Sequence, residues 1–241
     1  MRALVAQWRA ELTLGARQGE QLLVSIGVPL GILVFFSNVD VLPTGTGKPV
    51  DFLAPAVLAL AVMSSAMVSL GISTGFERYY GVLKRIGATP LGRGRLVTAK
   101  ILQVLTVETI QFAVILTVAV LMGWSPASGW PVAVLGALAG TAAFAGIGLL
   151  MAGTLSGTLN LAASNALYLA LLITGGMMVP FDKLPHALRI VAEVLPAAAL
   201  SDVMIGSLSS TQDVHGGSWI VLISWAVVTP LAAARFFRWD G

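Results

Sequence analysis

Six long apolar stretches constrain the fold of this chain more than any other feature of its sequence. They cover residues 19–36, 53–73, 97–122, 131–153, 160–180 and 218–237. The hydrocarbon core of a bilayer is about 30 Å thick, and a helix of about 20 mostly apolar residues crosses it. The pattern therefore predicts an all-α integral membrane protein with six transmembrane helices. We expect residues 1–241 to form one transmembrane domain.

The composition agrees with a lipid environment. Charged residues make up 10% of the chain, whereas a soluble domain has roughly 25%. The mean hydropathy is +0.90. The sequence contains no cysteine, which excludes disulfides and thiolate metal sites. The net charge is +3, but the bases lie between apolar stretches, so they indicate membrane topology rather than binding to nucleic acid.

The distribution of lysine and arginine predicts the orientation. With the N-terminus inside, eleven bases fall on the cytoplasmic side: Arg2, Arg9, Arg17, Arg78, Lys84, Arg85, Arg93, Arg95, Lys100, Arg235 and Arg238. Three fall outside: Lys48, Lys183 and Arg189. The positive-inside rule then places both termini in the cytoplasm. An arginine-rich composition with abundant Ala, Gly and Val favours a bacterial protein, and hence the inner (plasma) membrane.

Two segments outside the spans have helical patterns of their own. Residues 1–17 place Leu4, Val5, Trp8, Leu12 and Ala16 on one face, which predicts an amphipathic interfacial helix with Glu11 at its edge. A simple basic anchor is the alternative. Residues 181–200 predict a short outer re-entrant helical hairpin that starts at Pro185, with Pro196 closing its first helix.

The sequence carries no catalytic or metal-binding pattern. The run from Pro43 to Val50 resembles a phosphate-binding loop, but Leu42 and Pro49 stand where that loop needs Gly and Ser or Thr. His186 and His215 lie in the same outer loop without a third ligand nearby. We therefore expect no catalytic residue, no metal and no cofactor in this chain, which by itself is not an enzyme.

Two features of the spans are candidates for a substrate pathway. Glu108 is ionisable and lies deep in the third span, with Gln111 three residues further on. These side chains either line a substrate path or form hydrogen bonds to a neighbouring helix. The fifth span ends with the run Gly175, Gly176, Met177 and Met178. This run either forms a flexible, apolar lining of the path or packs in the ordinary way.

The segment 76–90 concentrates bases between two spans. Glu77 and Arg78 are suited to the start of a short helix, in which Leu83 and Ile86 share a face and Lys84 and Arg85 point away. Such a helix is suited to transmit motion between spans. The alternative is that these bases only obey the positive-inside rule and bind anionic lipid, as we expect of Arg93, Arg95 and Lys100.

Two motifs resemble the type-2 ABC exporter permeases. One is Glu77-Arg78-x-x-Gly81-x-Leu83-Lys84-Arg85-x-x-Ala88-Thr89-Pro90-Leu91, similar to the cytoplasmic segment of that family, although Tyr80-Gly81-Val82 replaces its usual Gly-Thr. The other is Gly176-Met177-Met178-x-Pro180-x-x-x-Leu184-Pro185, followed by Leu195-Pro196. The six spans and the amphipathic N-terminus also match the layout of the family.

The resemblance implies a permease subunit that works as a homodimer or as a heterodimer with a second permease. Each permease would bind a separate ABC ATPase, which holds ATP and Mg²⁺, and spans 2 and 5 would line the path. Spans 1 and 5 would form the dimer contact. The candidate residues for coupling to the ATPase are then Glu77, Arg78, Gly81, Leu83, Lys84 and Arg85.

The expected function is export of a hydrophobic or amphipathic substrate, such as a drug, an antibiotic, a lipid or a glycolipid. A permease for a polysaccharide precursor is one alternative within the family. A transporter or channel without an ATPase is another, although it is expected to have polar residues in several spans. A membrane-embedded enzyme is the third, although no paired catalytic residues are present.

Overall fold

A computed structural model describes residues 2–17, 19–39, 48–87, 89, 91–177, 185–209 and 213–238. This part of the chain forms helices and no strand. The helices are α1 (Arg2–Arg17), α2 (Gly19–Asn38), α3 (Pro49–Met63), α4 (Leu70–Tyr79), α5 (Val82–Gly87), α6 (Arg93–Leu121), α7 (Trp130–Thr154), α8 (Gly157–Thr174), α9 (His186–Ala192), α10 (Pro196–Leu208) and α11 (Gly216–Phe236). A π-helical segment, Ser64–Ser69, joins α3 to α4 without a break.

Five helices are long and apolar enough to cross a membrane. They are Pro49–Tyr79, Gly94–Leu121, Trp130–Thr154, Gly157–Thr174 and Gly216–Phe236. These five helices confirm the prediction of an all-helical membrane protein. In α2 the described apolar part, Ser25–Asn38, is shorter, so a sixth crossing by this helix stays a prediction.

The centre of the molecule is built on α3 and α7. Every residue of α3 from Phe52 to Met63 is buried. Helix α7 packs against α11 along its length, and also against α4 and α10. Gly148 allows a close approach to the π-helical segment, because a Cβ atom there would lie 2.6 Å from the carbonyl oxygen of Met67. Small residues let membrane helices pack at short distance, as here.

The segment after the second span differs from its prediction. Glu77 and Arg78 lie in the last turn of α4, not at the start of a separate helix. Helix α4 runs without a break to Tyr79, and Tyr80 caps it. Gly81 then reverses the chain direction with a φ of +70°, a backbone conformation that glycine adopts easily. The short helix α5 then begins at Val82.

The outer segment also has different bounds. Pro196 was expected to close a helix, but it opens α10, where a proline at the first position loses no hydrogen bond. Helix α10 extends to Leu208 and is buried against α3, α7 and α11. Helix α8, which corresponds to the fifth predicted span, ends at Thr174, six residues before the predicted end, and Gly176 follows with a φ of +70°.

Hydrogen bonds between helix ends and neighbouring loops show that the helix ends form two groups, one at each end of the bundle. At one end, Arg78 Nη1 donates to the carbonyl of Leu155, and the amide of Arg238 donates to Gly153. At the other, Lys48 Nζ donates to Gly123, and the amide of Ala127 donates to Leu208. The first end holds α1, α5 and the start of α6, which carry most of the bases; we call it the basic end.

Candidate functional site

The turn from α4 to α5 presents an aromatic and basic surface. Tyr79 and Tyr80 are 63% and 66% exposed, and their ring centroids lie 5.2 Å apart. Lys84 and Arg85 are exposed on α5. Aromatic and arginine side chains are enriched where proteins bind other proteins. We call the residues Tyr79, Tyr80, Val82, Lys84 and Arg85 the turn surface.

Leu83 fixes α5 against the rest of the protein. Its side chain is only 1% exposed, and it points inward while the two neighbouring bases point out. This confirms that Leu83 lies on the opposite face from Lys84 and Arg85. The buried leucine therefore anchors α5 to the helices behind it.

A buried ion triad lies directly behind this turn. Lys100 Nζ on α6 is 3.2 Å from Glu11 Oε2 on α1 and 2.8 Å from Glu77 Oε1 on α4. Lys100 and Glu11 are only 2% and 4% exposed. Gln7 adds a hydrogen bond of 2.8 Å from its amide to Glu11 Oε1. The triad therefore joins the N-terminal helix to the second and third spans.

The triad is electrostatically incomplete. Two carboxylates face one ammonium group, and Glu77 Oε2 is buried without a hydrogen-bond partner in the described part of the chain. Buried charges are tolerated only when they are paired, so the three side chains hold one another in place. The contact therefore depends most on Lys100, the cation that both carboxylates share.

Arg78 forms a second link from α4. Its Nη1 donates to the carbonyl oxygens of Ala152 and Leu155, at 2.9 and 3.0 Å. These carbonyls belong to the last turn and the cap of α7, where four backbone acceptors have no partner within the helix. Glu77 and Arg78 thus connect α4 to α6 and α7, and their side chains are only partly exposed.

The sequence did not indicate the triad. Glu11 was placed at the edge of an interfacial helix, and Lys100 was interpreted as a membrane anchor, but both are buried and paired. The partly buried side of α1 carries Leu4, Trp8 and Leu12 of the apolar stripe, and Gln7 and Glu11 lie beside them on the same side. A buried ion pair between residues far apart in the sequence leaves no local pattern.

Gln111 connects three helices in the middle of the bundle. It is fully buried, its Oε1 accepts from Ser65 Oγ at 2.6 Å, and its Nε2 donates to the carbonyl of Ser25 at 2.9 Å. Ser65 belongs to the π-helical segment Ser64–Ser69. Such segments occur often at functional positions in helices.

Glu108 points to a different neighbour. Its Oε2 accepts a hydrogen bond of 2.8 Å from Thr141 on α7, and the side chain is 5% exposed. Its Oε1 is buried without a hydrogen-bond partner among the described residues. Glu108 therefore hydrogen-bonds to α7, whereas Gln111 hydrogen-bonds to α2 and the π-helical segment, and the two side chains do not form one polar cluster.

The glycines that follow α8 lie near the other end of the molecule. Gly175 and Gly176 line a cavity of about 560 Å³, together with residues of α9, α10 and the start of α11. Asp202 and His215 also line it, and His215 Nδ1 is 2.7 Å from Asp202 Oδ1. Met177 is buried, and Met178 lies outside the described residues. The structure does not bring these residues together with Glu108 or Gln111.

The fold and this arrangement define a class: a multi-helix membrane protein with an exposed basic turn and no cluster of three or more metal-ligating residues in the described ranges. Residues 2–208 match the family described as ABC-2 type transporter. The match covers most of the chain, so the protein belongs to the ABC-2 type transporter family. A Bacillus subtilis (strain 168) protein named "Putative transport permease YvfS" is 26% identical over 202 residues, which are 82% of each chain.

The family places this chain among transport permeases. Its members are membrane transport components that generally carry no ATPase site of their own. They normally work with an ATPase partner. The chain is thus a transport permease subunit.

Proposed function

We propose that this protein is the membrane subunit of an ATP-driven exporter, and that a separate ABC ATPase binds its turn surface. The observation that carries the proposal is the combination of exposure and anchoring at this turn. Tyr80, Lys84 and Arg85 are exposed, whereas Glu77, Arg78 and Leu83 hold the same segment to the bundle. A partner that binds here has a rigid connection to the spans.

The coupling follows from the contacts behind the turn. Glu77 joins α4 to α6 through Lys100, and Lys100 joins α6 to α1 through Glu11. Arg78 joins α4 to α7. Closure of the ATPases on ATP and Mg²⁺ would therefore move four helices together as a rigid body, which is the kind of motion that switches a transporter between inward- and outward-facing states.

The substrate in this proposal is hydrophobic or amphipathic: a drug, an antibiotic or a lipid. Glu108, Gln111 and the Gly175–Met178 run remain candidates for its path, which two permeases would form together in a dimer. Support for an apolar substrate comes from the small number of polar groups in the spans. Where the spans carry buried polar side chains, these are engaged largely in contacts between helices, as Gln111 and Asn160 are.

Co-purification tests the proposal. The chain is expressed with each ABC ATPase encoded beside it, extracted in mild detergent and examined by size-exclusion chromatography with light scattering. We expect one ATPase to elute with the chain at equal stoichiometry, in a complex with two copies of each. A chain that catalyses transport in proteoliposomes without any ATPase would contradict the proposal and favour an ATPase-independent transporter.

A further inference from the structure

A second cavity lies at the basic end of the spans, between α6 on one side and α7 with α11 on the other. Its volume is about 450 Å³. Its lining is apolar apart from Thr74, Lys100 and Thr141. Helix α8 contributes no lining residue, whereas Thr74 of the second span does, and the lining residue Thr141 donates to Glu108. The cavity therefore borders the proposed path on the side away from α8.

The dimensions of this cavity match one leaflet of a membrane. On α7 its lining extends from Leu138 to Leu149, eleven residues apart, which is a rise of about 16 Å. Half of the hydrocarbon core is about 15 Å thick. Leu138 is 47% exposed, so the cavity reaches the lipid-facing surface of the bundle.

One buried polar group in the cavity has an open hydrogen-bonding position. Thr74 is 2% exposed, and its Oγ1 has no hydrogen-bond partner among the described residues. The other two polar side chains are engaged, since Lys100 pairs with Glu11 and Glu77, and Thr141 donates to Glu108. A buried hydroxyl without a partner is costly in apolar surroundings, so Thr74 favours a ligand with a hydrogen-bonding group at this depth.

Two exposed bases lie next in the chain to residues that line the basic end of the cavity. Arg95 precedes the lining residue Leu96 and Arg238 follows Phe237, whereas Lys84 lies on the face of α5 opposite the lining residue Leu83. Basic side chains at the cytoplasmic surface attract anionic lipids by about 1 kcal/mol each. The chemistry of the cavity thus runs from an apolar interior to a basic rim.

We propose that this cavity binds one acyl chain of an anionic phospholipid from the cytoplasmic leaflet, with its ester region at Thr74 and its headgroup among the exposed bases. Such a lipid would fill the space between α6 and the α7–α11 pair. It would be a bound component of the permease.

Native mass spectrometry of the purified chain tests the site. The chain is incubated with phosphatidylglycerol or with phosphatidylcholine of the same acyl chains, and the retained lipid is counted. We expect the wild-type chain to retain one phosphatidylglycerol at collision energies that strip phosphatidylcholine. Ala142→Trp places a large ring in the cavity and should abolish this retention. The matched control Ala166→Trp, on the exposed face of α8, should leave it unchanged.

Two milder variants keep the test decisive if Ala142→Trp does not fold. Thr74→Val removes the hydroxyl at nearly constant volume and should weaken retention of phosphatidylglycerol about fivefold, the effect of one lost hydrogen bond. Arg238→Gln should reduce the preference for phosphatidylglycerol over phosphatidylcholine, also about fivefold. Equal retention by the wild-type chain, Thr74→Val and Ala142→Trp would overturn the proposal, because the lipid would then bind only at the general protein surface.

Discussion

Lys100 is the residue on which the basic end of this permease depends most. It is buried, and it is the cation that both Glu11 and Glu77 share. Attraction between charges in a low-dielectric interior is strong, but each charge must first lose its hydration. The three side chains therefore stabilise one another only as a set. A change at any one of them is felt by α1, α4 and α6 together.

Replacing Lys100 with methionine should destabilise the protein strongly. Lys100→Met keeps the length of the side chain but leaves two buried carboxylates without a cation. We expect a loss of about 3–5 kcal/mol, the usual effect of removing one partner from a buried ion pair. The measurement is thermal unfolding of the detergent-purified chain, followed by circular dichroism.

Two variants control for the change in side chain. Lys84→Met makes the same substitution at an exposed position and should change stability by less than about 0.5 kcal/mol. In a chain that already carries Glu11→Gln and Glu77→Gln, Lys100→Met should cost much less, because no buried carboxylate is left. If Lys100→Met and Lys84→Met unfold at the same temperature, the triad does not hold the helices together.

Helix α7 organises the bundle at the level of elements. Its glycines lie where other helices pass closely: Gly148 beside Met67, and Gly140 beside Leu200 of α10. Backbones that approach this closely gain van der Waals contact, which drives association of helices in a membrane. The order of packing around α7 therefore depends on the absence of side chains at a few positions.

A methyl group added at Gly148 should disrupt this packing. Gly148→Ala would place a Cβ atom 2.6 Å from the carbonyl oxygen of Met67, so a backbone must move. We expect a loss of about 1–3 kcal/mol in thermal unfolding, as for other overpacked cores. Gly31→Ala is the matched control, since nothing lies within 4 Å of that position in α2. It should leave stability unchanged or raise it; a similar loss in both variants would contradict the close approach.

The elements show what the sequence could predict and what it could not. Runs of apolar residues suffice to predict membrane helices, because each helix satisfies its own backbone hydrogen bonds. The exposure of Lys84 and Arg85 follows from the local pattern, whereas the turn at Gly81 was not predicted, because the short helix was expected to begin at Glu77 and Arg78. The partners of Glu77 and Arg78 do not, because Lys100 and Leu155 are distant in sequence and only packing brings them near. The same holds for the hydrogen bond between Ser65 of the π-helical segment and Gln111 of α6.

At the scale of the whole molecule, the basic end and the opposite end have different characters. The basic end carries the turn surface, the ion triad and the rim of the apolar cavity. The opposite end carries the larger cavity with Asp202 and His215. In the proposed function, the ATPase binds at the basic end, so the mechanical contacts lie where that proposal needs them.

The rate of ATP hydrolysis by the reconstituted complex tests the central claim most directly. The chain and the ATPase that co-purifies with it are placed in proteoliposomes, and phosphate release is measured with and without the permease. A chain with Lys84→Glu and Arg85→Glu reverses the charge of the turn surface, and a chain with Arg2→Glu and Arg9→Glu makes the same change on exposed residues of α1. Like charges placed across an interface cost several kcal/mol. We predict that the wild-type chain and the α1 variant change the ATPase rate equally. The turn variant should need at least about tenfold more ATPase for the same change in rate. Equal responses from all three chains would contradict binding at the turn surface.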